Sequence, residues 1–164
     1  MRKQQKGFSL IELLIVVAII LIIAAIAIPN LLRARMAANE SSAVGSIRSI
    51  NTAEVMYNTT YPLTGFSGTL LALGSPAGVC TPSSTNACLI DSVLSAGVKS
   101  GYTFTAGVTA ATPNVSYWVN GKPTTLNQTG IRAFCSFEDA VVRADPAGAG
   151  ATTAATCAAF TPLN

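Results

Sequence analysis

The chain has 164 residues, of which 50% are hydrophobic and only 10% are charged, whereas charged residues make up about 25% of an ordinary soluble domain. Arg2, Lys3 and Lys6 account for the whole net charge of +3, so the chain from residue 8 onward is neutral. A neutral body lacks the positive charge that holds nucleic-acid phosphates, and we expect no specific nucleic-acid binding. The chain contains no His and no common catalytic motif, so we predict no catalytic residues, no metal site and no cofactor.

The first predicted element is an apolar helix that starts at Phe8 and runs to Ile28. At about 1.5 Å per residue it is long enough to cross the roughly 30 Å hydrocarbon core of a membrane. The segment is apolar on every side, so we expect lipid or copies of itself to surround it. The basic residues before it orient its N-terminus towards the cytoplasm.

A secretory signal peptide is an alternative interpretation of this segment, with Ala25-Ile26-Ala27 as its cleavage site. Glu12 argues against it, because a carboxylate inside a membrane span costs about 2.5 to 3.5 kcal/mol on insertion scales. A carboxylate kept at that cost indicates a function and a partner.

The segment KGFSLIELL at residues 6–14, continuing to Pro29, resembles the class III signal of type IV pilins and of the related type II secretion pseudopilins. The resemblance continues more loosely through residues 28–62, and residues 89–104 and 130–145 look like the sheet region of bacterial major pilins. It implies that a prepilin peptidase removes the basic leader, residues 1–7, by cutting between Gly7 and Phe8. The same enzyme, as an N-methyltransferase, would methylate the new amino group of Phe8.

The resemblance also implies a function, which is that of a structural subunit that polymerises into a type IV pilus filament. Such a homopolymer serves adhesion, twitching motility or DNA uptake, and its subunit is not an enzyme. Its assembly would need an ATPase, an inner-membrane platform protein and an outer-membrane secretin. The precursor would lie in the inner membrane, and the assembled subunit would lie in a pilus outside the cell.

Two residues of the predicted assembly helix, residues 8–29, have chemistry of their own. After cleavage, the ammonium group of Phe8 lies four residues from Glu12, which is about one helical turn. Two charges in an apolar bundle are tolerable only when they are paired, so this pair would set the axial register of neighbouring subunits.

Pro29 lacks an N–H and clashes with the carbonyl of Ala25, which predicts a kink or local unwinding of the helix there.

The rest of the chain, residues 30–164, is predicted to form one α+β domain in which a helix covers one face of an antiparallel sheet. The helix should continue to about residue 58, because only one Gly and no Pro interrupt it. Its predicted sheet-facing stripe consists of Met36, Ala43, Ile47, Ile50 and Tyr57. Glu40 and Glu54 fall near the same line, which predicts either a second contact face or pairing with Arg side chains of neighbouring subunits.

A loop region is predicted over residues 59–100, with a short helix at 89–96 that Gly97 closes. Period-2 alternation then predicts a sheet within residues 101–144. Its strands should cover residues 102–108, 115–119, 131–137 and 140–143. The tail, residues 145–164, is rich in Ala, Gly and Thr, and its side chains look too small to build a core.

Four cysteines, Cys80, Cys88, Cys135 and Cys157, follow the predicted span on the side that faces an oxidising compartment. They allow three disulfide pairings. Pairing Cys80 with Cys88 closes a short loop, and pairing Cys135 with Cys157 fastens the tail to a strand, so we favour this arrangement. A zinc site is the alternative, but neither pair has C-x-x-C spacing and the chain has no His.

Two other functions remain possible from the sequence. A type II secretion pseudopilin shares the N-terminal block but forms a short periplasmic piston. A secreted or membrane-anchored binding domain would use residues 1–28 only for export or anchoring. The first residue of the mature chain separates these classes, because Phe8 indicates a pilin-type subunit, Ile28 a secreted domain and Met1 a simple anchor.

Overall fold

The structure, a computed structural model, describes residues 9–75, 80–109 and 111–163. The chain divides into two compact units, residues 1–35 and 36–164. The long helix α1 (Leu10–Thr60) belongs to both units. The other elements all lie in the second unit, and in chain order they are α2 (Leu70–Leu73), α3 (Ser92–Ser95), β1 (Val98–Lys99), β2 (Tyr102–Val108), β3 (Tyr117–Pro123), β4 (Ala133–Phe137), β5 (Arg143–Asp145), α4 (Ala154–Ala158) and β6 (Thr161–Pro162).

Helix α1 stays helical through Pro29. The local unwinding that the sequence predicts at Pro29 is therefore absent from this structure, whereas a kink there, or unwinding within a polymer, stays a prediction. The helix ends at Thr60 because Pro62 disfavours helical backbone at Tyr61. The final turn closes with a hydrogen bond of 2.8 Å from the N–H of Tyr61 to the carbonyl of Tyr57.

Within the second unit, α1 packs one face against the sheet. The buried apolar residues of this face are Ala43, Ile47, Ile50, Ala53 and Tyr57, whereas Met36, which the sequence placed on the same stripe, is only partly buried. Because these positions recur every three or four residues, they form one continuous stripe on the helix. They join one core cluster with the buried sheet residues Tyr102, Phe104, Tyr117, Val119 and Phe134.

The six strands form one sheet in the order β1-β2-β3-β4-β5-β6, with every neighbouring pair antiparallel. This meander needs only short connections, which is why strands that follow each other in the chain lie side by side. A long N-terminal helix on an antiparallel sheet is the α+β fold that the sequence predicts.

Three strands differ from the sequence prediction. Strand β4 covers Ala133–Phe137 and not residues 131–137, because Ile131 lies in the preceding loop and is exposed. Strand β3 begins at Tyr117, because Val115 lies in the preceding loop and is exposed. Strand β5 covers Arg143–Asp145 and not residues 140–143. The turn before it is longer than predicted, since Ala140 has a φ of 57° and the carboxylate of Asp139 accepts the N–H of Val141 at 3.0 Å.

The C-terminal tail is ordered, so the prediction that its small side chains build no core is wrong. Cys135, Ala151 and Cys157 are buried in a second apolar cluster, against which Phe137 and Phe160 pack. Side chains alternate along a strand, so Cys135 points away from the face of Phe134 that contacts the main core. The small tail residues allow the backbone to approach the sheet closely, and the Asp145 carboxylate accepts three N–H groups of the tail at 2.9 Å.

Both predicted disulfides are confirmed. Cys80 is bonded to Cys88 and Cys135 to Cys157, and no described cysteine is free. The first bond closes a surface loop in which both cysteines are partly exposed. The second bond is fully buried and joins β4 to α4. The Cys135–Cys157 bond therefore connects the tail to a strand, as the sequence predicts.

Glu40 pairs with an arginine of its own chain, whereas the sequence predicted either a second contact face or pairing with an arginine of a neighbouring subunit. Its Oε1 accepts the N–H groups of Ile131 and Arg132, at 3.0 and 3.1 Å. Its Oε2 accepts two guanidinium hydrogen bonds from Arg132, at 3.0 and 2.8 Å. Burial alone would raise the pKa of Glu40, but these hydrogen bonds and the positive charge of Arg132 lower it below its ordinary value.

Replacing Glu40 with Ala should lower the free energy of unfolding by about 1 to 3 kcal/mol, because partly buried N–H groups lose their acceptor. The lowered pKa means that Glu40 stabilises the fold above about pH 4.5, its ordinary pKa, and that this contribution disappears as the pH falls further. Denaturant unfolding at pH 7 and pH 3 measures both effects. Ser41→Ala, at an exposed neighbouring position, is the control, and an equal loss in Glu40→Ala at both pH values would contradict this interpretation.

Candidate assembly helix

In the first unit, α1 leaves its apolar side chains exposed. Its large apolar residues between Leu10 and Leu32 are 46% to 79% exposed. By length and composition this helix is able to cross a membrane. Contiguous apolar surface of this extent needs lipid or another protein surface as its environment.

Glu12 is the only charged residue between Ser9 and Leu32. It lies in the first turn of α1, where the partial positive charge of the helix N-terminus favours a carboxylate. The backbone of this turn is fixed by a hydrogen bond of 3.2 Å from the N–H of Leu13 to the carbonyl of Ser9. The Glu12 side chain is exposed, and none of the three ion pairs of the described residues includes it.

The opposite side of the helix carries a shallow apolar depression. It is lined by Leu10, Leu13, Leu14, Val17, Ala18 and Leu21. At about 100° per residue, Glu12 points some 170° away from the middle of this depression. The segment therefore has one side that can receive an apolar side chain of a neighbouring helix and another side that offers a carboxylate to a cation.

The structure places the other predicted site residues as follows. Gly7 and Phe8 lie outside the described residues. Pro29 lies within α1, and the four cysteines form the two disulfides of the second unit. Among the residues that the structure describes, no group of three or more His, Cys, Asp or Glu could hold a metal ion.

Residues 2–28 match the family model of the prokaryotic N-terminal methylation motif. This match covers Gly7, Phe8 and Glu12 together with the exposed apolar segment. The chain is also 43% identical over 83 residues to the type IV wide pilus major component PilA4 of Thermus thermophilus, an alignment that covers 47% of this chain and 62% of that protein. Over these segments the chain is similar to type IV pilins.

The chain is also similar to the type IV major pilin protein PilA of Myxococcus xanthus. The two are 47% identical over 51 residues, which is 31% of this chain and 23% of that protein. The chain thus spans less than two thirds of the length of each of these relatives. No solved structure matches this chain.

Two carboxylates of this chain have roles that the sequence alone did not assign. Arg132 is the partner of Glu40, but the two are 92 residues apart and no local pattern connects them. Glu54 is completely buried and pairs with no arginine among the described residues. Its position on the apolar stripe of α1 was a signal of burial, because Glu54 lies between the buried residues Ala53 and Tyr57.

Proposed function

We propose that this chain is a structural subunit that polymerises into a type IV pilus filament on the cell surface. The observation that carries the proposal is the carboxylate of Glu12, which has no ion-pair partner among the described residues and lies on an exposed helix that is otherwise apolar from Leu10 to Leu32. A soluble monomer would have no reason to keep such a surface, whereas a polymer buries it against copies of the same helix. The names of the two relatives, both major components of pili, support the same function.

The proposed assembly begins with a precursor held in the inner membrane by residues 8–29. A prepilin peptidase and N-methyltransferase cuts between Gly7 and Phe8 and methylates the new amino group. The ammonium group of Phe8 then pairs with Glu12 of a neighbouring subunit, and each apolar helix exchanges lipid for other helices. Such head-to-tail contacts repeat without closing into a ring, so the product is a helical fibre.

The proposed partners of this homopolymer are an assembly ATPase, an inner-membrane platform protein and an outer-membrane secretin. The filament would serve adhesion, twitching motility or DNA uptake. The subunit itself would be neither an enzyme nor a holder of a cofactor.

The mature N-terminus is the most direct test of this proposal. We expect intact-mass spectrometry of the assembled or surface-sheared chain to give a protein that begins at Phe8 and carries one extra methyl group. A chain that begins at Met1 or Ile28 would contradict a pilin function. Electron microscopy should show long extracellular filaments that contain this subunit, whereas subunits confined to the periplasm would indicate a pseudopilin.

A matched pair of leader variants tests the cleavage position. Gly7→Val adds a branched side chain next to the scissile bond, and we expect the leader to remain attached because the peptidase can no longer approach the backbone closely. Gln5→Ala changes a residue two positions earlier and should be processed normally. Equal processing of both variants would show that Gly7 does not define the cleavage site.

A further inference from the structure

Glu54 is the most unusual group of the second unit, because it is a carboxyl with no counter-ion in the interior. Its side chain has no exposed surface, and its Oε2 accepts one hydrogen bond, from the N–H of Ser67 at 2.8 Å. Its Oε1 is the one buried side-chain polar atom of the described residues that has no hydrogen-bond partner. A buried carboxyl in this situation is far more stable neutral than ionised.

The titratable groups around Glu54 add no positive charge. On α1 and just after it lie Tyr57 and Tyr61, and from β3 comes Tyr117. Negative charges of Glu138 and Asp139 also act on Tyr117, and the segment of residues 62–75 contains no titratable side chain. The loop of residues 80–88, which contacts Tyr57 through the carbonyl of Ser84 at 2.6 Å, contains only disulfide-bonded cysteines.

Burial therefore raises the pKa of Glu54 to about 8, although the hydrogen bond from Ser67 acts in the opposite direction. The same carboxyl helps to raise the pKa of Tyr57 and of Tyr117, for which burial is the larger cause. In the folded chain, Glu54 is thus mostly protonated at neutral pH, whereas an exposed Glu would be ionised.

The segment of residues 61–69, which we call the cover loop, lies against Glu54 through the hydrogen bond that Ser67 donates. It turns away from α1 through hydrogen bonds from Thr64 and Gly65 to the carbonyl of Tyr61, at 2.9 and 3.1 Å. Gly65, with a φ of +80°, approaches the backbone of Asn114 so closely that a Cβ would collide with it.

At the far end of the cover loop the Phe66 ring packs on the Tyr117 ring, with 4.9 Å between the ring centroids, and two sets of hydrogen bonds also hold this end. One is the set of hydrogen bonds with Asn114, which itself lies in a loop. The other is the hydrogen bond between Ser67 and Glu54. In contrast, β3 is paired along its length with β2 and also with β4. Moving the cover loop breaks fewer backbone hydrogen bonds than separating β3 from its two neighbouring strands. Movement of this loop is therefore the way in which water reaches Glu54 at the lower free-energy cost.

We propose that Glu54 is a protonation-controlled latch, which holds the cover loop against α1 while its carboxyl is neutral and releases that loop when the carboxyl loses its proton. Release of the loop exposes the ionised carboxylate of Glu54 to water, while the main helix–sheet core stays in place. The latch would make the surface next to the C-terminal end of α1 sensitive to pH from the mildly acidic range up to about pH 8.

The direction of the pH effect follows from the raised pKa. In the closed state, with the cover loop against α1, Glu54 keeps its proton up to about pH 8. In the open state, with the loop released, Glu54 is exposed and keeps its proton only up to its ordinary pKa of about 4.5. Opening therefore releases a proton, so the population of the open state should rise by up to about tenfold per pH unit between these values and level off above pH 8.

Hydrogen exchange on the full chain in detergent micelles, measured by mass spectrometry from pH 5 to pH 9, tests the latch. After correction for the intrinsic pH dependence of exchange, protection of residues 61–69 should fall by up to about tenfold per pH unit to pH 8. Protection of β3 and β4 should change much less. In Glu54→Gln, which keeps the shape but cannot ionise, the protection of residues 61–69 should be independent of pH.

Glu54→Met, a second side chain of similar length that cannot ionise, keeps the test decisive if the Gln variant fails to fold. Glu40→Gln is the matched control on the same helix, and it should keep the pH response of the cover loop. Three results would each overturn the proposal: no pH dependence in the unaltered chain, the same dependence in a folded Glu54 variant, or an equal loss of protection throughout β3 and β4.

Discussion

A Glu12→Ala chain should insert into the membrane and fold as the unaltered chain does, yet assemble very poorly. Removing the carboxylate relieves the cost of placing a charge in the membrane, so the precursor loses nothing before assembly. In a polymer, however, the ammonium group of Phe8 would be buried without a partner. Leaving one member of a buried ion pair unpaired costs about 3 to 5 kcal/mol, which corresponds to subunit addition that is weaker by on the order of a hundredfold or more.

The yield of sheared filaments, compared with the amount of subunit in the membrane fraction, measures this effect. Ser9→Ala is a matched control, because it removes a polar side chain from the same turn without changing the charge. A Glu12→Asp chain keeps the charge on a shorter side chain and should assemble partially. Filament yield that is normal in Glu12→Ala would show that the charge pair does not set the register of the subunits.

The second large effect should come from removing the buried disulfide with the double substitution Cys135→Ala and Cys157→Ala. The bond closes a loop with a sequence separation of 22, for which chain entropy alone gives about 3 kcal/mol of stability. Both sulfur atoms also lie in the small apolar cluster between β4 and α4, so packing is lost as well. We expect the free energy of unfolding to fall by about 3 to 5 kcal/mol, with β6 and α4 exchanging hydrogen first.

The other disulfide provides the comparison. Cys80 and Cys88 close a loop with a separation of only 8, and both are partly exposed. The same entropy argument gives about 2.5 kcal/mol, and no buried cluster depends on this bond. Denaturant unfolding of the two double variants should therefore rank the Cys135–Cys157 bond first, and the reverse order would contradict the structural role that we assign to the tail cluster.

Local patterns in the sequence predicted most of the second unit. The apolar period of three or four residues identified the stripe of α1 from Ala43 to Tyr57, and the alternation of Tyr102 and Phe104 identified β2. Both signals arise from neighbours in the chain, so a single sequence contains them. The disulfide pairing was also predictable, because loop closure favours partners that are near in sequence.

The features that were missed depend on contacts between distant segments. Nothing near Glu40 in the sequence indicates that its cation is Arg132. The tail was judged by the size of its side chains, whereas its order comes from the disulfide to β4, the Asp145 carboxylate and the pairing of β6 with β5. For the assembly helix, Glu12 and the apolar span were evident at once, while Gly7 and Phe8 were identified only through the resemblance to pilins.

The two edges of the sheet also limit how copies of this chain can join. Both edge strands, β1 and β6, contain only two residues, and Pro162 in β6 has no N–H to donate to an incoming strand. Short edges and edge prolines block the addition of further strands. Fibres of the folded chain therefore cannot grow by continuing the sheet from one copy to the next, which separates their architecture from that of cross-β aggregates. Their cohesion must come from side-chain packing, so detergents that compete for apolar helix surfaces should dissociate them more readily than they dissociate amyloid.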